Sequence, residues 1–258
     1  MIKFLSVLVL AVLIPFGELV AEVQDVKSRG EITRLQVQQG SNPWVTVVLF
    51  AGGKGAMDIS ESGAIRWGEG NFLVRSREYF QDKGAITAVI DAPTDHKSKL
   101  YGFRVTEDHA KDIAAVIKHL RGKYGLPVWL VGTSRGTTSV ANAAVRLQTE
   151  KPDGIVLTAT MLVENKKGDY VLPLELSKIE IPVLISHHKY DECYLTPPGK
   201  VGDLKAALTK AKPVKVLWYE KKGWEKGKAC QARHYHGFID IEKKVVSDIM
   251  AWIKEPKP

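Results

Sequence analysis

The chain has only two cysteines, Cys193 and Cys230, and they do not form a Cys-x-x-Cys pair. No His-Glu-x-x-His occurs either, so these zinc-site patterns are missing. His187-His188 with Asp191 is a weak grouping, and no metal is expected from it. Gly52, Gly53 and Gly55 make neither a Gly-x-Gly-x-x-Gly fingerprint nor a phosphate loop closed by Lys-Ser/Thr, so no nucleotide or other cofactor is expected. Low-complexity tracts and internal repeats are absent. The net charge is +8, yet aromatic residues do not interleave with the basic ones as a nucleic-acid platform requires, so nucleic acid is not an expected partner. A basic surface can favour anionic substrates or an anionic envelope. A solvated basic face is the plainer reading of the same lysines.

What is present fits an ordinary globular chain of 258 residues, 45% hydrophobic and 26% charged, with ample material for a large core. The N-terminus stands apart. Lys3 precedes an almost wholly apolar run from Phe4 to Phe16, and Gly17 to Ala21 offers small residues at a cleavage point. This reads as a secretory signal peptide over residues 1–21, too short to cross a bilayer comfortably. An uncleaved anchor is the competing reading. No later stretch is apolar enough to span, so residues 22–258 are expected to form one domain without a membrane span, in the periplasm or the medium. Export means an oxidising compartment, which makes Cys193–Cys230 an expected disulfide, with two buried thiols as the alternative.

The apolar run Val128-Trp129-Leu130-Val131 leads into Gly132-Thr133-Ser134-Arg135-Gly136, and a helix rich in small residues follows. Strand, sharp Gly-x-Ser-x-Gly turn and helix together make a nucleophile elbow, which lifts one serine hydroxyl clear of the sheet. Elsewhere, buried strands are expected at 44–50, 85–90, 154–159, 181–186 and 214–219, with a half-buried strand at 31–37 near the sheet edge. Helices are expected at about 72–81, from the Thr106 N-cap to Gly122 or Gly125, at about 200–211, and at the C-terminus with Ile241, Val245, Ile249, Trp252 and Ile253 on one face. The alternation argues for an α/β fold, a mostly parallel sheet with helices on both faces. The interval from Ala159 to Ile181 is too short for a large lid.

A serine hydroxyl needs a hydrogen-bonded base, and the base needs an acid to orient it. Asp191 follows a later strand, and His236 lies beyond one further strand. In these stretches, together with Phe50 to Gly55 and His236-Gly237-Phe238, the chain resembles the α/β-hydrolase superfamily. It most resembles small, lidless, exported bacterial hydrolases of the esterase and dienelactone-hydrolase-like kind. It departs from dienelactone hydrolases in carrying serine where they carry a cysteine nucleophile. The resemblance implies Ser134 as nucleophile, His236 as base and Asp191 as acid. It also implies an oxyanion hole from the backbone N–H of Arg135 and the Gly52-Gly53 turn, though that turn could equally be a simple tight turn.

Each role has a rival. His234 is two residues from His236 and would point the same way in an extended loop. Glu192 neighbours Asp191, and Asp91 ends another strand. His187 and His188 are expected to pack or line the cleft, and His109 and His119 to be ordinary helix residues. Arg135 could shape the acyl pocket or make a structural ion pair. Cys193 and Cys230 would tie the acid loop to the histidine loop. The expected activity is cleavage of an ester, thioester or lactone in a small-molecule or polymeric substrate. A peptidase and a catalytically silent binding protein are the alternatives.

Overall fold

The computed structural model describes residues 21–258, so the signal-peptide expectation lies outside the described residues apart from Ala21. Eight strands form one sheet: β1 (Glu22–Ser28), β2 (Glu31–Gln39), β3 (Val45–Phe50), β4 (Ala85–Ile90), β5 (Val128–Thr133), β6 (Gly154–Thr158), β7 (Val183–His188) and β8 (Val214–Tyr219). Their order is β1-β2-β4-β3-β5-β6-β7-β8. The β1–β2 and β2–β4 pairs are antiparallel, and every later pair is parallel.

The central strands are buried along their whole length and mostly apolar because both faces are covered. In β5, Val128 and Leu130 pack on one side of the sheet while Trp129 and Val131 pack on the other, the period of two that a strand imposes. The first face is covered by α3 (Glu107–Tyr124), α4 (Gly136–Arg146) and α5 (Val201–Ala207). The second is covered by α1 (Phe72–Arg75), α2 (Arg77–Gln81) and α6 (Glu242–Lys254). Trp129 of β5 meets Trp252 of α6 edge-on at 5.8 Å, a favoured aromatic geometry. No helix among the described residues is long and apolar enough to cross a membrane.

Most expected elements occur, with four differences. The edge strand β1 carries no strand pattern in sequence, because Val23 and Val26 are three apart and break the alternation that marks a strand. The helix expected over 72–81 is two short helices that break at Ser76, whose ψ is 6°. The α5 helix ends at Ala207 rather than Ala211, because the backbone leaves the helical region at Leu208, whose ψ is 54°. Finally, β7 starts and ends two residues later than expected, so His187 and His188 lie within the strand, paired with Trp218 and Tyr219. The α3 helix matches its sequence signals: the Thr106 hydroxyl accepts from the His109 N–H at 3.2 Å, and Gly125 closes it at φ 65°. It runs through Gly122.

Candidate active site

The parallel strands deliver their carboxyl ends to one rim of the sheet, where ligands bind in open α/β folds. Ser134 sits there between β5 and α4 at φ 52°, a left-handed conformation that non-glycine residues rarely adopt. The strain is held from several sides. The Ser134 N–H donates to the Thr158 carbonyl at 3.0 Å, and its own carbonyl accepts from the Thr137 N–H and hydroxyl. The flanking glycines answer a steric demand. A Cβ on Gly132 would lie 2.7 Å from the Gly136 carbonyl oxygen, and one on Gly136 would lie 2.0 Å from that of Phe50. Both obstacles are backbone and cannot move aside.

The turn after β3 lies against this elbow. A Cβ on Gly52 would stand 3.0 Å from Ser134 Cβ, and Gly53 has φ 61°. Arg104, fully buried, supports the turn from within the fold. Its Nη2 donates to the Ala51 carbonyl at 3.0 Å and its Nη1 to Ser139 Oγ at 2.7 Å. Its guanidinium occupies the space a Gly55 side chain would need. Burial lowers the Arg104 pKa to about 10, which leaves it charged at neutral pH.

Asp191 follows β7, and His236 sits in a short 3₁₀ turn, Tyr235–Gly237, before α6. His236 Nδ1 is 3.0 Å from Asp191 Oδ2. The carboxylate can only accept, so Nδ1 carries the proton and Nε2 is left as an acceptor. Two further donors hold Asp191: the Cys193 N–H reaches Oδ1 at 3.0 Å, and the Thr196 hydroxyl reaches Oδ2 at 2.8 Å. Burial by itself would raise the Asp191 carboxyl. The His236 hydrogen bond and charge, His187 and the Cys193 N–H outweigh that and hold it below the usual carboxylate range. Cys193 and Cys230 form a disulfide between the two loops. Arg75 anchors the histidine loop, donating to the Gly237 carbonyl at 2.7 Å while pairing with Glu242 at 2.8 Å.

Ser134 and His236 line one small cavity of about 60 Å³ together with Gly52, Gly53, Asn71 and Cys230. They share it without a hydrogen bond between them, a spacing common where a substrate completes the contact. A larger cavity of about 730 Å³ lies between β1, β2 and residues 58–66. Its Arg34 is engaged by Asp25 and the Ile59 carbonyl, and no histidine or cysteine lines it.

The rivals lie elsewhere. His234 Nε2 faces Glu192 at 3.8 Å instead of Asp191. The Asp91 carboxylate accepts from the Met57, Ile59 and Ala92 N–H groups at 2.6 to 2.8 Å and so ties down the loop after β3. His187 is buried under the acid, its Nε2 2.9 Å from the Thr196 carbonyl, and burial pushes its pKa down to about 4. His188 stacks on Tyr235 at 4.7 Å. His109 is buried against Phe103, and His119 bonds Gln24. Arg104 carries no sequence signal, since its partners Ala51 and Ser139 are distant along the chain, whereas Asn71 caps the helix that starts at Phe72 and Thr196 bonds Asp191 five residues away.

This framework is the α/β-hydrolase fold. The structure is similar to a dienelactone hydrolase from Anabaena variabilis at TM-score 0.64 and 13% identity, over 91% of this chain and 96% of that one. It is similar to an α/β serine hydrolase without a lid from Xanthomonas campestris at TM-score 0.58 and 14% identity, covering 92% and 97%. An acylaminoacyl peptidase from Pyrococcus horikoshii matches at TM-score 0.63 and 12% identity, over 93% of this chain and 42% of that one. No protein-family model matches the sequence, and no curated protein does.

Proposed function

We propose that this protein is an exported serine hydrolase that cleaves an ester, thioester or lactone through an acyl-enzyme. The observation that carries the reading is the convergence of a strained Ser134, with His236 across a shared cavity and His236 Nδ1 bound to Asp191. Substrate enters between Ser134 and His236. His236 Nε2 takes the hydroxyl proton as Oγ attacks the carbonyl carbon, and Asp191 stabilises the imidazolium that forms. The developing oxyanion is met by the backbone N–H of Arg135 and one from the Gly52-Gly53 turn, held rigid by Arg104. His236 then protonates the leaving alcohol, and a water activated by the same histidine releases the acid.

The short connection after β6 supports access by small or polymer-borne esters. The disulfide and the signal-like N-terminus support a periplasmic or secreted location. A fluorophosphonate probe tests the chemistry. The purified protein should label at neutral pH, and Ser134→Ala should not. An unlabelled wild type would leave a binding protein on the same fold. Parallel ester and peptide panels separate an esterase from a peptidase.

A further inference from the structure

Beside Ser134 lies a group of charges that the acid–base chemistry leaves unused. Arg104, Arg135 and Asp169 are 1%, 7% and 0% exposed. The Asp169 carboxylate lies 3.7 Å from Arg135 Nη1 and feels the Arg104 charge through space. That carboxylate is partly spent elsewhere, since Asp169 Oδ1 accepts the Gly102 N–H at 2.7 Å. Burial raises the Asp169 carboxyl, against the Gly102 N–H and the Arg104, Arg135 and Lys167 charges, which lower it.

Arg135 is incompletely partnered. Its Nη2 donates to Asn165 Oδ1 at 2.8 Å. Its Nη1 is buried with no hydrogen-bond partner and lies 3.7 Å from Asp169 Oδ2, which is also unpartnered. The guanidinium carbon is 5.3 Å from the Tyr101 ring centre, and the Lys167 ammonium lies 4.0 Å from the same ring. A second positive charge thus sits at the outer edge of this cluster. At 3.7 Å the Arg135–Asp169 pair falls short of a hydrogen bond, so the guanidinium keeps charge that a second carboxylate can compete for.

Position selects the part of the substrate concerned. Arg135 directly follows Ser134, and its side chain reaches the loop after β6. His236, which would protonate the leaving alcohol, approaches from the loop after β8. The group that stays on the serine is therefore the one directed toward Arg135. We infer that Arg135, with Lys167 at its rim, forms an anion subsite that reads a carboxylate on the acyl portion of the substrate. The preferred substrates are monoesters of short dicarboxylic acids. This rests on Ser134 as the nucleophile.

The test compares p-nitrophenyl hemiglutarate with p-nitrophenyl valerate, and adds 4-acetoxybenzoate, which carries its carboxylate on the alcohol side. The wild type should favour the hemiglutarate over the valerate by about tenfold or more in kcat/KM, mainly through KM, as a charge-assisted contact predicts. It should show no such gain for 4-acetoxybenzoate. Arg135→Met should collapse the hemiglutarate-to-valerate ratio, Arg135→Lys should restore part of it, and Lys167→Ala should reduce it and its salt dependence. Equal kcat/KM for the two esters in the wild type, or a ratio unmoved by Arg135→Met, overturns the subsite. Lys167→Ala provides the test if Arg135→Met does not fold, and an unchanged ratio there counts against the proposal. Calorimetric titration of Ser134→Ala with monomethyl glutarate and with methyl valerate reads the subsite without chemistry. Preferential binding of the anionic ester with no turnover by the wild type would uphold the subsite while rejecting the hydrolase reading. No preference in either assay rejects the subsite.

Discussion

Among single residues, the choice between His234 and His236 turns on geometry that spacing cannot supply. Both rings are buried, but only His236 meets Asp191, at 3.0 Å, while His234 faces the exposed Glu192. His236→Gln should therefore lower kcat by roughly 10⁴-fold or more, as loss of a triad base does, whereas His234→Gln should cost less than about tenfold. Thr196 belongs to the same comparison. Its hydroxyl bonds Asp191 Oδ2 and lies 3.1 Å from His236 Nδ1, so it positions the pair without touching substrate. Thr196→Val should lower kcat with little change in KM, and Thr196→Ser should restore it. Steady-state kinetics on one chromogenic ester reads all four variants. Comparable losses in His234→Gln and His236→Gln would reject the assignment of the base.

At the level of elements, the site depends on loops more than on strands. The elbow is held by sheet and helix on both sides. The proposed acid and base, Asp191 and His236, instead sit on loops after β7 and β8, joined by Cys193–Cys230 across 37 residues. A crosslink of that span contributes about 4 kcal/mol in the chain-entropy model. Its local effect is more direct: the Cys193 N–H bonds Asp191, and Cys230 lines the cavity with Ser134 and His236. Reduction should thus lower activity before the fold is lost. Activity and near-UV dichroism followed together against thiol concentration decide this, and coincident loss would count against a local role. The loops also mark where sequence patterns were least informative. Strand and helix signals located β3 to β6, α3 and α6 closely. The extension of β7 through His188 depended on β8 offering Trp218 and Tyr219 as partners, which no local pattern in β7 records.

For the molecule as a whole, the two layers bury titratable groups whose neutrality is part of the fold. Burial lowers the His109 pKa to about 3 and that of His187 to about 4. An unfolded histidine titrates near 6.5, so the unfolded chain binds protons that the folded one refuses. Stability is then complete above about pH 6.5 and falls as pH drops toward 4, by up to about 1.4 kcal/mol per pH unit for each histidine. Asp191, held below its ordinary value, adds a loss only at lower pH, as the carboxylate is protonated. Urea midpoints at pH 7 and pH 5 should show the decline, and His187→Gln should flatten it. An unchanged slope in that variant would mean that other groups carry the dependence.

The sequence by itself determined the α/β architecture and the position of the elbow. Strand alternation, helix periodicity and the Gly-x-Ser-x-Gly turn are local consequences of backbone geometry, and Gly132 meets its obstacle at Gly136, four residues on. It also gave the order Ser134, Asp191, His236 and set one cysteine near each of the last two. Only the tertiary structure decided which histidine faces Asp191, gave Thr196 and Arg104 their supporting places, spent Asp91 on loop N–H groups and left Arg135 Nη1 buried beside Asp169 without a hydrogen bond. These are contacts between segments far apart in the chain. Their outcome depends on how loops settle on the sheet rim, which short-range spacing does not encode.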